Sequence, residues 1–589
     1  MKFGSALHVL LSVLSLQAIP ALAEVADQSK GPIQPEHSSR SGPSQRVVNA
    51  EGIDSHAGVT SVDEGRISMD GFNPNPEHSL QKIWRYDVKP SITASNLDLV
   101  AWSVATGADE NQTTELKPVD ASADKDQDLD ASDEKDQEAF KRLVELGAAL
   151  NLFHHTETPY GAPSSTTQGP INARTHLLGD WGGLRKSLAQ KGVLVDLWTT
   201  SFYQGIAEGS TNNSGWLQTA ELDITLSTDI AGLWPGGFLH FGVDAKFGDS
   251  LNPDAGAFSP VNYAGFFPVY EEGDFVYPTE YYLFQTLGSN NLVAVVGKAT
   301  PINFADLNVF AGNKNTQFMN TSFNNNPMLG AFVPPASTWV AALVWQINPN
   351  IQSSTVAIDP NGAADNFADK FFDDVTVAQQ FAFKWGQDKL PGSILIGGLW
   401  SSKDSVNFAN PADIRRRLVD GQLSFTSSFN KSSDGSMAYL TFDQYLWRLP
   451  DSSIDENLFF YNPRGFGIFG RLGIGPEDSN LVSRFVSLGF GGNGAIPGRP
   501  YDNFGLGWYY LGFSDGIIDS LQKVSNIAAL KRRDGSPKDV KNEAGVELFY
   551  TFAITPAVSL TADLQYIFNP LLSSSDGELV LGGRLNITF

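Results

Sequence analysis

The sequence predicts an all-β protein whose antiparallel strands close into a transmembrane barrel. Three observations support this fold class. Apolar and polar residues alternate along many short segments between position 176 and Phe589. After the first residues of the chain, no apolar run reaches the ~18 residues that a membrane-spanning helix needs. The chain also ends on a strand-like segment whose last residue is aromatic.

Residues 1–23 have the pattern of a secretory signal peptide. Lys2 precedes an apolar run over residues 6–16, and the small-x-small triplet Ala21-Leu22-Ala23 follows Pro20. We therefore expect cleavage after Ala23. A short anchor helix is the alternative, but the run is too short to span a membrane comfortably.

Residues 24–170 are acidic and of low complexity. They contain an imperfect repeat, residues 120–127 and 130–137, rich in Asp and Lys. Such a composition cannot bury enough apolar surface to offset its chain entropy. We expect a largely disordered periplasmic extension, with one short helix near residues 136–153. The repeat lacks the glycine and the terminal Glu of a calcium loop, so it predicts no metal site.

Charge and cysteine content exclude several functions. The formal net charge is -25, which disfavours nucleic acid as a partner because phosphate binding needs concentrated Lys and Arg. The absence of cysteine excludes disulfides, thiol catalysis and Cys-ligated metals. No cofactor is expected.

The second part of the chain, residues 176–589, carries the strand signal. In Thr219–Ser227 the apolar residues at even positions alternate with polar ones at odd positions, which is the period of a two-faced strand. In the last twelve residues Leu581, Leu585 and Phe589 share one face and Arg584 shares the other. Lipid cannot satisfy a free strand edge, so the sheet must close. Its length allows about 14 to 18 strands.

Several motifs in this part resemble one family in the expected order. They are Leu178–Gly192, Gly232–Gly237, Gly297–Asn303, Asp502–Gly507 and Glu543–Phe552. The set resembles the carbohydrate-selective porin (OprB) family, and residues 24–170 lie outside the resemblance. The matching positions of the opening motif, together with the chain end, are Gly179, Asp180, Trp181, Gly182, Gly183, Leu184, Arg185 and Phe589.

The resemblance implies a 16-stranded barrel in the bacterial outer membrane. It implies passive diffusion of mono- and oligosaccharides into the periplasm, and lipid contact around the outside. A terminal Phe589 resembles the signal read by the barrel assembly machinery. Whether the protein is a monomer or a homotrimer stays open.

The opening motif also has a physical interpretation. Asp180 is placed to cap a short helix, with Trp181 and Leu184 on one face. Gly192 ends this helix, and the first strand follows from Val193 to about residue 202.

Strand parity predicts which polar residues line the lumen. A pore for sugars needs hydrogen-bond donors and acceptors close together, with aromatic surfaces for stacking. Each charge could equally serve only to keep the lumen wet. The predicted pore-lining residues are Glu221, Asp223, His240, Asp244, Lys246, Lys298, Glu547, Asp563 and Arg584.

Enzymatic functions are poorly supported. Only His176 and His240 of the eight histidines lie in the barrel-like part, which leaves little for a hydrolase triad or a His-rich metal site. A general or anion-selective porin is the main alternative, and the acidic strand faces disfavour an anion pore. An outer-membrane enzyme or adhesin is a further alternative, for which no motif stands out.

Overall fold

The computed structural model describes the barrel and most of its connections. The described residues are 167, 169–265, 274–288, 291–334, 337–363, 371–386, 389–403, 405–406, 431–432, 435–450, 463–523, 531–532 and 534–589. The predicted signal peptide, its cleavage site and the helix near residues 136–153 lie outside them.

In this described part of the chain, sixteen strands form one closed antiparallel barrel. Each barrel strand pairs with the barrel strands before and after it in the sequence, so that β9 pairs with β12 across the separate hairpin β10–β11. The first strand, β1, closes the ring by pairing with β18. The barrel strands are β1 (Val193–Glu208), β2 (Ser214–Ser227), β3 (Gly237–Gly248), β4 (Phe275–Leu287), β5 (Leu292–Ala299), β6 (Thr338–Asn348), β7 (Ile351–Ile358), β8 (Thr376–Trp385), β9 (Gly392–Ser401), β12 (Gly435–Arg448), β13 (Gly465–Ile474), β14 (Val482–Asn493), β15 (Asn503–Phe513), β16 (Glu543–Thr555), β17 (Val558–Phe568) and β18 (Gly577–Thr588). A separate two-stranded hairpin pairs β10 (Ser405–Val406) with β11 (Lys431–Ser432). The predicted fold class and the strand number implied by the resemblance are confirmed.

Helices are short and lie in the connections. They are α1 (Leu184–Ala189), α2 (Asn252–Ala255), α3 (Thr321–Asn324) and α4 (Asp515–Lys523), with 3-10 turns at Trp181–Gly183, Pro301–Phe304 and Pro327–Ala331. Within the described ranges, every helix is too short or too polar to cross a membrane.

The period-two pattern explains the two faces of the barrel wall. On β16 the outward Leu548, Phe552 and Ile554 are 45–55% exposed, whereas the inward Glu547 and Thr551 are at most 1% exposed. Large apolar side chains on the outside and polar ones inside are what a sheet in lipid requires. The alternation in the sequence therefore identified the lipid-facing side.

The two ends of the barrel differ. Only Pro349 and Asn350 separate β6 from β7, and only Pro556 and Ala557 separate β16 from β17. These tight turns lie at the end that also carries both ends of the barrel chain, which we call the terminal end. The long connections, such as residues 300–337, lie at the opposite end, which we call the loop end.

At the terminal end, the opening motif packs against the last strand. Arg185 donates from Nη2 to the carbonyl oxygens of Val195, at 2.7 Å, and Phe589, at 3.1 Å. Its guanidinium also lies over the ring of Trp181. The expected cap at Asp180 takes another form, because its Oδ1 accepts from the backbone N–H of Lys186 and a 3-10 turn precedes α1. Strand β1 is longer than expected and continues to Glu208.

Outward tryptophans at the same end pair with glutamines. Trp234 Nε1 donates to Gln285 Oε1 at 2.9 Å, and Trp385 Nε1 donates to Gln444 Oε1 at 2.8 Å. An indole with a polar partner suits the boundary between lipid and water, where one side of the ring is apolar and the other wet.

The connection between β5 and β6 folds into the lumen, and we call residues 300–334 the inward loop. Its rings Phe310, Phe318 and Phe323 are at most 1% exposed. Phe318 packs edge-on against Phe469 and Phe549 of the wall, with ring centroids 5.4 and 4.7 Å apart. The main hydrophobic core of the described residues therefore lies inside the barrel, between this loop and the inward faces of strands β4–β9 and β12–β16.

Candidate functional site

Five carboxylates line the lumen on the first four strands. In the strand register, Glu221 on β2 lies opposite Asp244 on β3. Asp223 on β2 lies between Asp196 on β1 and Gly242 on β3, and Gly242 in turn pairs with Glu280 on β4. We call these five residues the acidic wall. Asp223 keeps 30% of its side chain exposed and Glu280 14%, so this part of the lumen is open to water.

His240 lies in the middle of the acidic wall. Its Nε2 is 3.6 Å from both Asp223 Oδ1 and Glu280 Oε2, and its Nδ1 is 3.1 Å from the hydroxyl of Thr225. Its ring stacks on Tyr282, with centroids 4.7 Å apart and planes inclined by 23°. The wall thus presents carboxylate acceptors beside a flat aromatic surface.

Lys314 of the inward loop faces the acidic wall. Its Nζ lies 2.8 Å from Glu221 Oε2. Burial by itself lowers the pKa of Lys314, but the negative charges of Glu221, Asp244 and Glu280 outweigh burial and raise the pKa above its ordinary value. Lys314 is therefore protonated at neutral pH, and it supplies a cation opposite the carboxylates.

The structure brings four of the predicted lumen residues together. Three of them belong to the acidic wall, namely Glu221, Asp223 and Asp244. The fourth, His240, lies between Asp223 and Glu280 of that wall. Lys246 also faces inward, further along β3, where its Nζ lies 5.1 Å from the ring centroid of Phe275.

Lys298 occupies a different position. Its ladder partners are Tyr281 and Trp339, and Tyr281 in turn pairs with Phe241, which is an outward residue 42% exposed. Lys298 Nζ lies 6.0 Å from the Tyr281 ring centroid. The register therefore turns Lys298 away from the acidic wall, and its side chain is buried, with 1% exposed.

Glu547, Asp563 and Arg584 point inward but lie beneath the inward loop. Glu547 accepts from the backbone N–H groups of Met319, at 2.5 Å, and Asn320, at 2.9 Å. Arg584 donates to the carbonyls of Lys314 and Gln317 at 2.8 and 2.7 Å. Asp563 accepts from the side chain of Gln565. Glu547 and Arg584 therefore hold the loop that narrows the lumen.

The strongest anchor of the loop is a pair that the sequence analysis did not single out. Arg471 on β13 donates from Nε to Asp306 Oδ2 at 2.8 Å, and both side chains are fully buried. The same guanidinium reaches the carbonyls of Ala311, Phe323 and Asn324. One arginine thus ties the start, the middle and the later part of the loop to the wall.

A row of glycines makes room for the loop rings. Gly467, Gly491 and Gly505 are opposite one another on β13, β14 and β15. A Cβ added to Gly491 would lie 2.7 Å from Phe310 Cβ, and one added to Gly505 would lie 2.6 Å from the Phe318 ring. The absence of side chains on this part of the wall allows the rings to seat against the backbone.

The site residues differ in how well the sequence signals them. Arg471 and Glu280 follow strand parity, because 469 and 471 on β13, and 280, 282 and 284 on β4, share their inward faces. Lys314 and Asp306 lie in a loop without periodicity, and only the folded chain shows where they lie. In the described part of the chain, no group of three His, Asp or Glu residues is arranged to hold a metal ion.

Comparisons with known proteins identify relatives of the barrel. Residues 214–589 match the model of the family described as carbohydrate-selective porin, OprB family. The chain is 22% identical over 448 residues to Porin B of Pseudomonas aeruginosa (strain PAO1), covering 70% of this chain and 91% of that protein. The high-pH structure of Pseudomonas putida OprB superposes with a TM-score of 0.60 at 19% identity. It covers 72% of this chain and 100% of that one, and it shows a shared fold.

The family match extends over most of the chain and over fifteen of the sixteen barrel strands described, all except β1. Such a match, together with the closed barrel, indicates a channel rather than an enzyme. The chain belongs to the carbohydrate-selective porin (OprB) family.

Proposed function

We propose that this protein is an outer-membrane pore that lets small sugars diffuse passively, and that the part of the lumen lined by the acidic wall and Lys314 is its selective constriction. The observation that carries the proposal is the face-to-face arrangement of carboxylates, a charged lysine and the Tyr282–His240 stack. A hydroxylated, uncharged solute can exchange hydrogen bonds with water for bonds to these groups.

The balance of charge in the constriction favours neutral solutes and disfavours anions. The charge of Lys314 interacts with three carboxylates, those of Glu221, Asp244 and Glu280, and His240 lies 3.6 Å from Asp223 and from Glu280. A phosphate or another anion would meet like charge across the narrowed lumen. A general porin remains the alternative function, and its hallmark is permeation governed by size alone.

The same proposal covers the path of the chain to the membrane. We propose export with cleavage after Ala23, and insertion with the terminal end in the periplasm, since short turns of such barrels are periplasmic and long loops extracellular. Phe589 donates its N–H to Leu197 O at the barrel seam. We propose that this terminal strand is recognised by the barrel assembly machinery, and that the acidic extension stays on the periplasmic side.

Solute uptake by reconstituted liposomes tests the proposal. Glucose, a disaccharide, an amino acid of similar size to glucose and phosphate are compared in one swelling assay. We expect glucose to enter well ahead of the amino acid and phosphate, and sugar to lower the ion conductance of single channels. Entry ordered by size alone would instead identify a general porin.

A double variant assigns the selectivity to the acidic wall. Asp223→Asn with Glu280→Gln keeps the side-chain volumes but removes two charges, so we expect weaker sugar block and faster phosphate entry. The matched control is Asp249→Asn, an exposed carboxylate beyond the end of β3. If the double variant and this control show the same sugar block and phosphate entry, the acidic wall does not determine the selectivity.

A further inference from the structure

The opening motif and the two residues before it reach the acidic wall. His176 Nε2 lies 3.7 Å from Oδ1 of Asp196, and Arg185 Nη2 lies 3.6 Å from the same oxygen. Asp196 is the member of the acidic wall on β1, and its register partner on β2 is Asp223. Its side chain keeps 15% of its surface exposed. The segment before β1 therefore adjoins the lumen near the terminal end of the barrel.

Arg185 is fixed beside Asp196 by three other contacts. Its Nη2 donates to the carbonyl oxygens of Val195 and Phe589, and its guanidinium lies 4.6 Å from the ring centroid of Trp181. Both hydrogens of Nη2 are thus directed to backbone oxygens, so Arg185 acts on Asp196 through its charge rather than through a direct hydrogen bond. Among the described residues, Asp196 supplies the only carboxylate within 4 Å of this guanidinium.

His176 approaches Asp196 from a buried position. Its side chain is fully buried, and its Nδ1 lies 3.0 Å from the hydroxyl of Thr175. When this hydroxyl donates to Nδ1, the ring proton is on Nε2, the nitrogen that faces Asp196. The backbone keeps the histidine in place, since the N–H of the next residue, Leu177, donates to Thr588 O of the last strand.

Asp196 needs such neighbours because of the charge across from it. Asp196 and Asp223 lie opposite each other on β1 and β2, and like charges in this arrangement destabilise a strand pair. The negative charge of Asp196 interacts with Asp223 and with His240 across the wall. The positive charge of Arg185 offsets part of this repulsion.

From this arrangement we infer that Arg185 and His176 are positioning residues of the sugar pathway, which hold Oδ1 of Asp196 so that its other oxygen, Oδ2, accepts hydrogen bonds from sugar hydroxyl groups. Asp196 contacts the solute, whereas Arg185 and His176 act only through Asp196. The opening motif then contributes to sugar affinity as well as to the barrel seam. The inference rests on the proposed sugar pathway.

A double-mutant cycle on the block of single-channel conductance by glucose tests the inference. Asp196→Asn removes the charge of the acceptor, and Arg185→Gln removes the charge that holds it. We expect each variant to raise the blocking concentration of glucose about threefold, the effect of one weakened hydrogen bond. The double variant should show about the same threefold rise, because Arg185 acts through Asp196. An arginine that serves only the barrel seam gives independent effects, which multiply to about ninefold.

His176 supplies a second arm that leaves the seam contacts of Arg185 in place. In His176→Ala the blocking concentration should rise about threefold, with no further rise when Asp196→Asn is also present. In His176→Gln, an amide nitrogen replaces Nε2, so the block should stay near that of the unmodified protein. The matched control is Lys186→Gln, an exposed residue on the same helix as Arg185, and it should leave the block unchanged.

The outcomes separate the inference from the proposed function. Effects that multiply in both cycles, or an unchanged block in Asp196→Asn, overturn the inference and leave the sugar pathway intact. If Arg185→Gln yields no folded barrel, the His176 cycle decides alone. If glucose neither blocks the unmodified channel nor enters liposomes, the sugar pathway is wrong and the inference with it.

Discussion

Arg471 is the residue on which the shape of the lumen depends most. Arg471→Leu leaves Asp306 buried without its cation and several loop carbonyls without a donor. Removing one partner of a buried ion pair costs about 3–5 kcal/mol. We expect the inward loop to detach while the barrel stays closed, so single-channel conductance should rise and become noisier.

Arg484→Leu controls for the loss of an arginine on the neighbouring strand. Arg484 is 57% exposed and its nearest carboxylate, Glu477, is 3.9 Å away. The single-channel conductance of Arg484→Leu should match that of the unmodified protein. Unchanged conductance in Arg471→Leu, with a folded barrel by heat-shifted electrophoresis, would show that the loop is held by its other contacts.

Lys314 supplies the cation of the proposed constriction. Lys314→Gln removes the cation that faces Glu221, Asp244 and Glu280, so the pore should become more selective for cations. Reversal potentials in a potassium chloride gradient measure this shift. Since the negative charges around Lys314 raise its pKa above the ordinary value of a lysine, the difference from the unmodified pore should persist at neutral and mildly alkaline pH.

The control for Lys314 is a lysine outside the lumen. Lys541→Gln changes an exposed residue paired with Asp539, whose side chain is itself 57% exposed. Its reversal potential should not move. A shift of the same size in both variants would mean that net charge, rather than the constriction, determines the selectivity.

At the residue scale, the sequence predicts which face of a strand a side chain takes better than it predicts which residues that side chain contacts. Strand parity places Glu221, Asp223 and His240 inward because side chains alternate along a strand. It also places Glu547 and Arg584 inward, but it cannot show that the inward loop covers them. Gly297 has φ +147°, and the register around it turns Lys298 away from the acidic wall into a buried position beside Tyr281.

Strands β13–β15 accept the inward loop through their glycine row. Gly491→Val would force Phe310 away from the wall, since an added Cβ lies within 2.7 Å of that side chain. Overpacking of this kind costs about 1–3 kcal/mol. We expect a displaced loop, seen as altered conductance and weaker sugar block in single-channel recordings.

Gly398→Val is the matched control for the glycine row. Gly398 is on the outward face of β9, and the nearest atom to an added Cβ is Met437 O at 3.6 Å. Valine suits a lipid-facing strand position, so conductance should be unchanged. If Gly491→Val also conducts normally, Phe310 adapts without moving the loop.

Arg185 on helix α1 links the helix to the barrel seam, because it binds backbone oxygens of Val195 and Phe589. Arg185→Leu removes the donor to Val195 O and Phe589 O, which we expect to cost about 1–3 kcal/mol. The temperature at which the folded band disappears in electrophoresis should fall. Lys186→Leu, at an exposed position of the same helix, should leave that temperature unchanged.

At the element scale, the sequence predicts strands well and connections poorly. The terminal strand and Thr219–Ser227 are as expected because a half-lipid, half-polar environment imposes period two on the sequence. The inward loop has no comparable constraint, since its contacts come from strands far away in the chain.

The whole barrel closes through contacts made after residue 166. The seam pairs β1 with β18, and the N–H of Leu177 donates to Thr588 O. A chain lacking residues 24–166 but keeping its first 23 residues should therefore form the same heat-modifiable barrel, with unchanged single-channel conductance. Loss of the folded band would show that residues 24–166 are needed for assembly.

The anchors of the inward loop also bear on the order of assembly. Asp306 pairs with Arg471, which lies 165 positions later in the chain. Lys314 and Gln317 bind Arg584, which lies about 270 positions later. Contacts between such distant positions form late in folding. The inward loop therefore gains the anchors that hold Lys314 and Gln317 only when the last strand is in place.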